Sequence, residues 1–199
     1  MGKIFYVMGK SSSGKDTIFE EILGRKELNL NQMVLYTTRP ARVNETDGVQ
    51  YHFVNDEKLN ELERADKVIE LRAYQVVGGV WKYFTVDDEH MDLQNKDYIA
   101  IGTLVSYEKL REYYGADKVV PIYIEVADDK RLERAIIRER KQAAPNYDEL
   151  CRRFLADSRD FSEENIKKAG IPRRFYNNGD RCECIEEIAA FIFETRKKL

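Results

Sequence analysis

A glycine- and lysine-containing loop near the start of the chain has the spacing of a phosphate-binding loop. Gly9, Gly14 and Lys15 fit the pattern G-x-x-x-x-G-K, within the run Gly9-Lys10-Ser11-Ser12-Ser13-Gly14-Lys15-Asp16-Thr17. Two glycines let the backbone curl so that successive N–H groups face an anion, and the dipole of a following helix adds positive charge. Lys15 would supply a point charge for the outer phosphates of a nucleoside triphosphate. A chance match in a flexible loop is the alternative, but an apolar strand precedes this loop and an amphipathic helix follows it.

The residues after Lys15 leave the identity of a metal ligand open. Asp16 occupies the position where such loops usually carry Ser or Thr, and Thr17 follows one place later. Asp16 could reach Mg²⁺ through a water molecule, whereas direct binding by Thr17 requires a shift in register. We therefore expect Mg²⁺ to accompany the nucleotide, with either Asp16 or Thr17 as its ligand.

A second run of chemistry-bearing residues follows a predicted strand. Arg39 and Arg42 lie three residues apart in a loop, where their planar guanidinium groups could converge on one phosphate dianion. Tyr51 and Tyr83 could add neutral donors to the same oxygens. A solvated loop with two unremarkable arginines explains these residues equally well when they are taken alone.

Together, the two runs resemble guanylate kinase, a family that transfers a phosphoryl group from ATP to GMP. Residues 37–53 match every fixed position of that family's pattern T-T-R-x-x-R-x-x-E-x-x-G-x-x-Y-x-F, which is much more specific than the phosphate loop. A looser resemblance extends over nearly the whole chain. It implies an α/β protein with the three-layer P-loop kinase fold: a central parallel sheet, a small β-rich insert that binds GMP, and a helical lid.

The same resemblance implies which residues hold the two phosphate groups. The loop residues from Gly9 to Thr17 would bind ATP, with Lys15 also acting in catalysis. The GMP phosphate would be held by a set from the acceptor motif, namely Arg39, Arg42, Tyr51 and Tyr83, with Glu45 at the acidic position of that motif.

For the base, the resemblance points to Glu70 and Thr85. Guanine presents N1–H and N2–H₂ as adjacent donors that one carboxylate can accept, whereas adenine presents an acceptor at N1, so Glu70 would favour guanine. Two positions depart from the family. Leu35 stands where a guanine-contacting Ser is usual, and Thr103 stands near the place of an expected Asp. Recognition of guanine would then depend mainly on Glu70 and Thr85, with Thr103 adding one hydrogen bond, and strict specificity for GMP stays open.

Arginines crowd the predicted helix at 128–141 and recur on the next one. Most arginines on a helix are solvated or paired with nearby acids. The resemblance implies that some of them close over the donor phosphates, where they would neutralise charge and exclude water. We expect this of Arg138, Arg140 and Arg153, with Arg134 as a further candidate, and we expect Asn177 near the adenine of ATP unless it is only a turn residue.

The elements that position these residues alternate between strands and helices, which predicts a parallel sheet covered by helices on both faces. The apolar run Ile4–Met8 is typical of a strand buried on both sides. Further predicted strands include 33–36, 68–71, 74–77 and 80–84, the last two joined by a glycine hairpin. Residues 147–168 are predicted to form one long helix.

We predict one domain over residues 1–199. Its core would comprise 1–36, 86–130 and 150–199, with the acceptor-binding insert at about 37–85 and the lid at about 131–149.

Composition limits the other classes of function. The 199 residues carry 33 Lys and Arg against 36 Asp and Glu, a net charge of −3, so no overall basic surface is expected to bind nucleic acid. No apolar stretch approaches the roughly 20 residues that span a bilayer. Three cysteines fit a reducing compartment, and only His52 and His90 are present. We expect a cytoplasmic protein, monomeric or homodimeric, whose partners are ATP and GMP rather than nucleic acid or membrane.

Two other functions are compatible with parts of the pattern. The Gly-Lys-Asp ending of the loop also resembles ribose 1,5-bisphosphate phosphokinase, a kinase of a small phosphate ester. A guanylate-kinase-like binding module without catalysis is the second alternative, although such modules typically lack the phosphate loop that is intact here. A nucleotide sensor without catalysis is also compatible with the sequence.

Overall fold

The apolar run at the start of the chain forms the middle strand of a parallel sheet. The computed structural model describes residues 2–76, 79–87 and 91–197. In chain order its elements are β1 (Ile4–Met8), α1 (Lys15–Gly24), a 3₁₀ turn (Lys26–Leu28), β2 (Leu30–Gln32), β3 (Leu35–Thr37), β4 (Tyr51–Phe53), α2 (Asp56–Arg64), β5 (Val68–Val76), β6 (Gly79–Val86), β7 (Asp97–Gly102), α3 (Leu104–Tyr114), β8 (Val119–Glu125), α4 (Asp128–Arg140), α5 (Tyr147–Asp160), α6 (Glu163–Lys168), β9 (Arg174–Tyr176) and α7 (Arg181–Lys197).

The central sheet has the strand order β2-β7-β1-β8-β9, and every neighbouring pair is parallel. Ile4 lies opposite Tyr98 on one side and opposite Val119 on the other. All five residues of β1 are buried, as a strand covered on both faces requires. The predicted parallel sheet is confirmed.

Helices cover both faces of this sheet. On one face α1 and α7 bury apolar residues such as Ile18, Ile22 and Ile188 against β1 and β8. On the other face α3 and α6 contribute Tyr107 and Ile166, among others. Full burial of one such aliphatic side chain is worth about 1.5–3 kcal/mol, so the two apolar layers fix the sheet between them. The three-layer α/β fold is therefore confirmed.

A second sheet, with the order β4-β3-β6-β5, stands beside the first and confirms the predicted β-rich segment. It has its own small core, formed by Tyr36, Leu59, Phe84 and Val86. The pairing of β3 with β4 is parallel, whereas β6 pairs antiparallel with both β3 and β5.

The strand predicted at 33–36 is wrong. β2 ends before this stretch and β3 begins within it, and the two belong to different sheets: β2 pairs with β7 of the central sheet, and β3 pairs with β4 and β6 of the second. Met33 still donates its N–H to the carbonyl of Ile99, so the chain leaves the central sheet only after that residue. The strand β2 has the sequence Leu-Asn-Gln, which carries no apolar pattern to reveal it.

The strands predicted at 68–71 and 74–77 form one strand, β5, with a bulge between Val68 and Glu70. It pairs antiparallel with β6, as the predicted hairpin requires, and Val76 lies opposite Gly79. Gly79, which the sequence predicts in the turn, begins β6, and residues 77 and 78 lie outside the described residues.

The single helix predicted at 147–168 is also wrong, because it is divided into α5 and α6. Ser162 has an extended backbone, and its hydroxyl accepts the N–H of Asn165 at 3.3 Å, which caps a new helix. Phe161 at the break stacks on Tyr123, with ring centroids 5.5 Å apart, and so turns the chain back onto the sheet. Among the helices in the described ranges, none combines the length and apolar character needed to cross a bilayer.

Candidate active site

The turn between β1 and α1 has a backbone that only glycine can provide at two positions. A Cβ on Gly9 would lie 2.5 Å from the carbonyl oxygen of Ile124. Gly14 has a φ of 83°, in the left-handed region, and a Cβ there would lie 2.7 Å from Nδ2 of Asn177. The loop therefore curls directly into the start of α1, where unpaired N–H groups and the helix dipole stabilise an anion.

Three polar atoms around this loop are buried without a hydrogen-bond partner among the described residues: Oγ of Ser12, Oγ of Ser13 and Oδ1 of Asn177. Leaving such an atom unpaired costs about 1–3 kcal/mol. The Nδ2 group of Asn177, itself buried, donates to the carbonyl of Ser13 at 2.8 Å. The side chain of Asn177 thus supports the loop by binding the backbone carbonyl of Ser13. The unpaired hydroxyls of Ser12 and Ser13 could donate to the oxygen atoms of a phosphate.

Both lysines of the loop have loosely held carboxylate partners. Lys15 Nζ lies 3.4 Å from Oδ2 of Asp16, and Lys10 Nζ lies 3.4 Å from Oδ1 of Asp128. The carboxylate side chains are 78% and 54% exposed, respectively. Exposed pairs of this kind contribute about 0–1 kcal/mol, so an incoming phosphate can displace them at little cost.

Asp157, on α5, links the phosphate loop to α4 and α5. Its Oδ2 accepts the backbone N–H of Ser11 at 2.7 Å and Nη1 of Arg131 at 3.4 Å. A carboxylate of the chain thus occupies one backbone donor of the phosphate loop. Sequence reasoning missed this residue, and a contact across 146 positions leaves no local signal by which to find it.

Arg39 and Glu45 form a two-point ion pair in the loop after β3. The Nη1 and Nη2 groups of Arg39 donate to Oε2 and Oε1 of Glu45, each at 2.8 Å, and the arginine is buried. These bonds, with a further one from the backbone N–H of Arg42, lower the pKa of Glu45 to about 2. The pKa of Arg39 is raised, chiefly by the same carboxylate. Glu45 therefore fixes the orientation of the Arg39 guanidinium.

Two tyrosines stand beside this arginine. The rings of Tyr51 and Tyr83 lie 5.6 Å apart, centroid to centroid, and the Cζ atom of Arg39 lies 5.6 Å from the Tyr51 ring. Burial raises the pKa of Tyr51, which keeps its hydroxyl a neutral donor at physiological pH. Arg42, by contrast, has an exposed side chain, and it contacts this group of residues through its backbone N–H, which donates to Glu45. The structure thus brings together three of the four predicted phosphate-binding side chains.

The phosphate loop and the second sheet face each other across one cleft of about 630 Å³. We use "the cleft" for this cavity throughout. The predicted site residues that line it are Gly9, Ser11, Lys15, Asp16, Tyr51, Tyr83, Thr103 and Arg153. A smaller cavity beside the loop joins Ser12, Arg138 and Arg153. Among the described residues, the predicted side chains outside both linings are Lys10, Ser13, Thr17, Arg39, Arg42, Glu45, Glu70, Thr85, Arg134, Arg140 and Asn177.

Glu70 lies in β5 and is almost wholly covered. Its Oε1 accepts the hydroxyl of Thr85 at 3.0 Å, from the residue directly opposite on β6. Arg72, which sequence reasoning missed, donates Nε to Oε2 at 3.0 Å and Nη2 to Oε1 at 3.3 Å. Alternate residues of a strand point to the same face, and this spacing is the signal that could have found the pair.

Thr103 lines the cleft, but its hydroxyl also serves the helix behind it. Oγ1 of Thr103 accepts the N–H of Ser106 at 3.2 Å, which caps α3, and lies 2.9 Å from the Ser106 hydroxyl. Leu35 and Ile101 supply apolar wall near it. Leu104 and Val105 also line the cleft beside Thr103, so this part of its wall is largely apolar.

The arginines of α4 fall into separate roles. Arg131 is fully buried and bonds Asp128 through Nε and Nη2, at 3.1 and 3.0 Å, with Phe154 under its guanidinium. Arg134 donates to the carbonyl of Asn177 at 3.0 Å. Arg138 and Arg153 line the small cavity beside the phosphate loop, whereas Arg140, at the end of α4, lines neither cavity; all three arginines are exposed.

For a metal ion, the described residues offer no cluster of three or more acidic, His or Cys side chains. Asp16 lines the cleft beside Lys15, and its carboxylate is the hard oxygen donor that Mg²⁺ prefers. Thr17 is exposed and does not line the cleft. The donor chemistry at Asp16 fits a cation that also keeps water and phosphate oxygens as ligands.

Comparison with known proteins agrees with this arrangement. The family model described as guanylate kinase matches residues 1–151. A guanylate kinase of Porphyromonas gingivalis is 26% identical over 194 residues, which is 96% of this chain and 97% of that protein. One from Malacoplasma penetrans is 27% identical over 186 residues, covering 90% and 83% of the two chains. A crystal structure of guanylate kinase from Anaplasma phagocytophilum aligns with a TM-score of 0.62 at 21% identity, covering 97% of this chain and 85% of that one.

The chain belongs to the guanylate kinase family, since the family model spans well over half of its length. It is accordingly a phosphotransferase of the nucleoside monophosphate kinase class. Both the predicted family and the predicted class of enzyme are confirmed.

Proposed function

We propose that this protein transfers the γ-phosphoryl group of ATP to the phosphate of GMP and releases ADP and GDP. The observation that carries the proposal is the single cleft in which Lys15 of the phosphate loop faces Tyr51 and Tyr83 of the second sheet. A donor phosphate and an acceptor phosphate held by these two groups would share one volume. This arrangement favours direct transfer without a covalent intermediate on the protein.

The donor side consists mainly of backbone. The amide groups between Gly9 and Lys15 would cradle the phosphates of ATP, and the ammonium of Lys15 would neutralise their outer oxygens. Mg²⁺ bound with ATP supplies additional positive charge to the donor phosphates, and Asp16 is the side chain best placed to hold it, with Thr17 as the alternative. Asn177 would act by supporting the loop through Ser13, in addition to any contact with adenine.

The acceptor side consists of side chains. Arg39, oriented by Glu45, would bind the GMP phosphate together with the hydroxyls of Tyr51 and Tyr83. Arg42 would join when its exposed side chain turns inward. The geometry supports this assignment because the guanidinium is already fixed before substrate binds, and its Nε atom is buried without a partner in the described chain.

Arg138 and Arg153 would complete the positive charge around the transferred group. Both line the cavity next to Ser12, one from α4 and the other from α5. Arg140 would contribute after a closing movement of the lid, which we assign to residues 131–149. Catalysis would then consist of positioning and charge neutralisation, as in other phosphoryl transfers.

The rest of the proposal concerns organisation. We propose a single domain with its core in 1–36, 86–130 and 150–199 and its acceptor-binding insert at about 37–85. We also propose that the protein acts in the cytoplasm, as a monomer or homodimer, on free nucleotides of purine metabolism.

An acceptor panel tests the proposal. Purified protein with Mg²⁺ and ATP is offered GMP, dGMP, AMP, CMP, UMP or ribose 1,5-bisphosphate, and formation of ADP is followed. GMP and dGMP should be used best, and Lys15→Met should lower turnover about 10²- to 10³-fold. Preference for ribose 1,5-bisphosphate, or ATP binding by calorimetry without transfer to any acceptor, would overturn it.

A further inference from the structure

Arg72 lies between the Glu70 carboxylate and the cleft. The side chain of Glu70 is 3% exposed and that of Arg72 is 18% exposed. Arg72 lines the cleft, and Glu70 is absent from the cleft lining among the described residues. A ligand in the cleft therefore meets the guanidinium first.

The hydrogen bonds of Glu70 leave little capacity for two further donors. An ionised carboxylate has about four acceptor sites. Within the described chain, Thr85 and Nη2 of Arg72 use both sites of Oε1, and Nε of Arg72 uses one site of Oε2. Guanine presents N1–H and N2–H₂ together, so Glu70 could accept both only after Arg72 had been displaced.

Arg72 is held firmly in this position. Burial is the largest single influence and would lower the pKa of Arg72, yet the pKa is raised because Glu70, Tyr6 and Tyr74 together outweigh it. Nε and one hydrogen of Nη2 are engaged by Glu70, whereas Nη1 has no partner among the described residues. The guanidinium thus keeps a second pair of donors, on Nη1 and Nη2, with which to bind a ligand.

The walls of the cleft near Arg72 suit a flat heterocycle. Leu35 and Ile101 are apolar, and Trp81 adds an aromatic surface. The Thr103 hydroxyl, which also lines the cleft, is engaged with Ser106. Arg72 therefore offers free hydrogen-bond donors with which to read the polar edge of a base at this end of the cleft.

Two parallel donors match an edge with two acceptors. Guanine and hypoxanthine both present O6 and N7 on one edge, and a bidentate arginine is the common partner of that pair. Adenine presents N7 beside the N6 amino group, so one donor would face another. The 2-amino group, by which guanine differs from hypoxanthine, lies on the opposite side of the base and would meet no free acceptor.

We propose that Arg72 is a specificity-determining residue and that the acceptor site takes 6-oxopurine nucleoside monophosphates as a class, GMP and IMP alike. This inference rests on the proposed function and refines its substrate. Glu70 then acts as a positioning residue, which holds Arg72 and does not read the base itself.

The test compares kcat/KM for GMP, IMP and AMP in the natural protein and three variants. In the natural protein IMP should lie within about tenfold of GMP, and AMP should be about 10- to 10²-fold poorer, the discrimination of one bidentate arginine. Arg72→Lys, which keeps the charge but loses the planar pair of donors, should reduce the GMP preference over AMP about tenfold. Glu70→Gln, which keeps the shape of the side chain, should leave the ratio of GMP to IMP within about threefold, since this inference gives Glu70 no contact with the 2-amino group.

Arg72→Leu is the most informative variant. Removing the guanidinium uncovers Glu70, which can then accept N1–H and N2–H₂, so the ratio of GMP to IMP should rise at least tenfold. Calorimetric affinities for GMP and IMP supply a readout that does not depend on turnover, and circular dichroism confirms that each variant is folded.

The possible results distinguish a failure of the inference about Arg72 from a failure of the proposed transfer to GMP. GMP phosphorylated well with IMP more than 10²-fold poorer would overturn the inference and leave the proposed function standing. A GMP to AMP ratio unchanged in Arg72→Lys, or a GMP to IMP ratio that collapses in Glu70→Gln, would do the same. Absence of both binding and phosphorylation of GMP would overturn the proposed function itself.

Discussion

The two sides of the cleft hold their positive groups in different ways. We call the phosphate loop, residues 9–17, the donor half, and the second sheet with its loops, residues 35–86, the acceptor half. In the donor half the lysines lie 3.4 Å from exposed carboxylates. In the acceptor half Arg39 is bound at two points by Glu45, each at 2.8 Å, and Arg72 is bound at two points by Glu70.

This difference indicates how each half would respond to a substrate. Loose, exposed pairs cost little to break, so a donor phosphate can replace Asp16 and Asp128 beside Lys15 and Lys10. Buried two-point pairs persist, so Glu45 and Glu70 remain in place and aim their arginines at the acceptor. The donor half exchanges its counter-ions, whereas the acceptor half keeps them.

The largest expected effect tests the exchangeable charge of the donor half. Lys15→Met should lower kcat about 10²- to 10³-fold, the usual cost of removing one preorganised positive donor from a transition state. Lys58→Met, on an exposed helix outside the cleft, is the matched control. Steady-state kinetics with ATP and GMP measure both, and equal kcat values for the two variants would contradict the assignment of Lys15.

The next effect tests the fixed arginine of the acceptor half. Arg39→Lys keeps the charge but cannot satisfy Glu45 and a phosphate together, because lysine lacks the planar fork. The value of kcat/KM for GMP should fall about 10²-fold, equivalent to about 2–3 kcal/mol for charged hydrogen bonds, while the KM for ATP stays constant. Arg64→Lys in α2 controls for the substitution, and a parallel rise in the KM for ATP would show that the two halves are not separate.

A smaller effect concerns the carboxylate that occupies a donor of the phosphate loop. Asp157→Asn keeps an acceptor for Ser11 N–H but removes the negative charge, whose repulsion of a phosphate about 4 Å away is worth about 1 kcal/mol when water screens it fully. The KM for ATP should therefore fall about fivefold. Asp160→Asn, which also lines the cleft but makes no bond to the loop among the described contacts, is the control. An unchanged or higher KM for ATP in Asp157→Asn would mean that Asp157 supports the loop and does not compete with phosphate.

The smallest effect is a pH dependence of stability. The pKa of Glu45 is lowered from 4.5 to about 2, so its contribution is complete above pH 4.5 and is lost as pH falls towards 2. The difference in Tm between the natural protein and Glu45→Gln should be largest near pH 6 and should narrow steadily below pH 4.5. Thermal unfolding at a series of pH values measures it, with Glu20→Gln as a control for the loss of one charge. A constant difference would show that the ion pair does not stabilise the loop.

The contrast between the two halves also explains what could be predicted from the sequence. The donor half is made of backbone, and the spacing of Gly9, Gly14 and Lys15 was sufficient to predict its form. In the acceptor half the motif predicted Arg39, Tyr51 and Tyr83, which meet as expected.

The sequence did not reveal which acidic side chain pairs with which basic side chain. Glu70 was expected to face a base, yet Arg72 covers it, and the two-residue spacing within a strand was the only indication. The contact of Asp157 with Ser11 spans two distant elements and had no local sign. The fold errors have similar causes, because the polar strand β2 and the cap at Ser162 depend on partners far along the chain.

Direct observation of phosphoryl transfer tests the central claim, which is that a phosphoryl group passes directly from the nucleotide in the donor half to the nucleotide in the acceptor half. Phosphorus-31 NMR of the protein with Mg²⁺, ATP and GMP follows every phosphate species in one sample. The account predicts that ADP and GDP grow together in equal amounts and that no inorganic phosphate forms. ATP consumed with release of inorganic phosphate, or ATP unchanged in the presence of GMP, would contradict it.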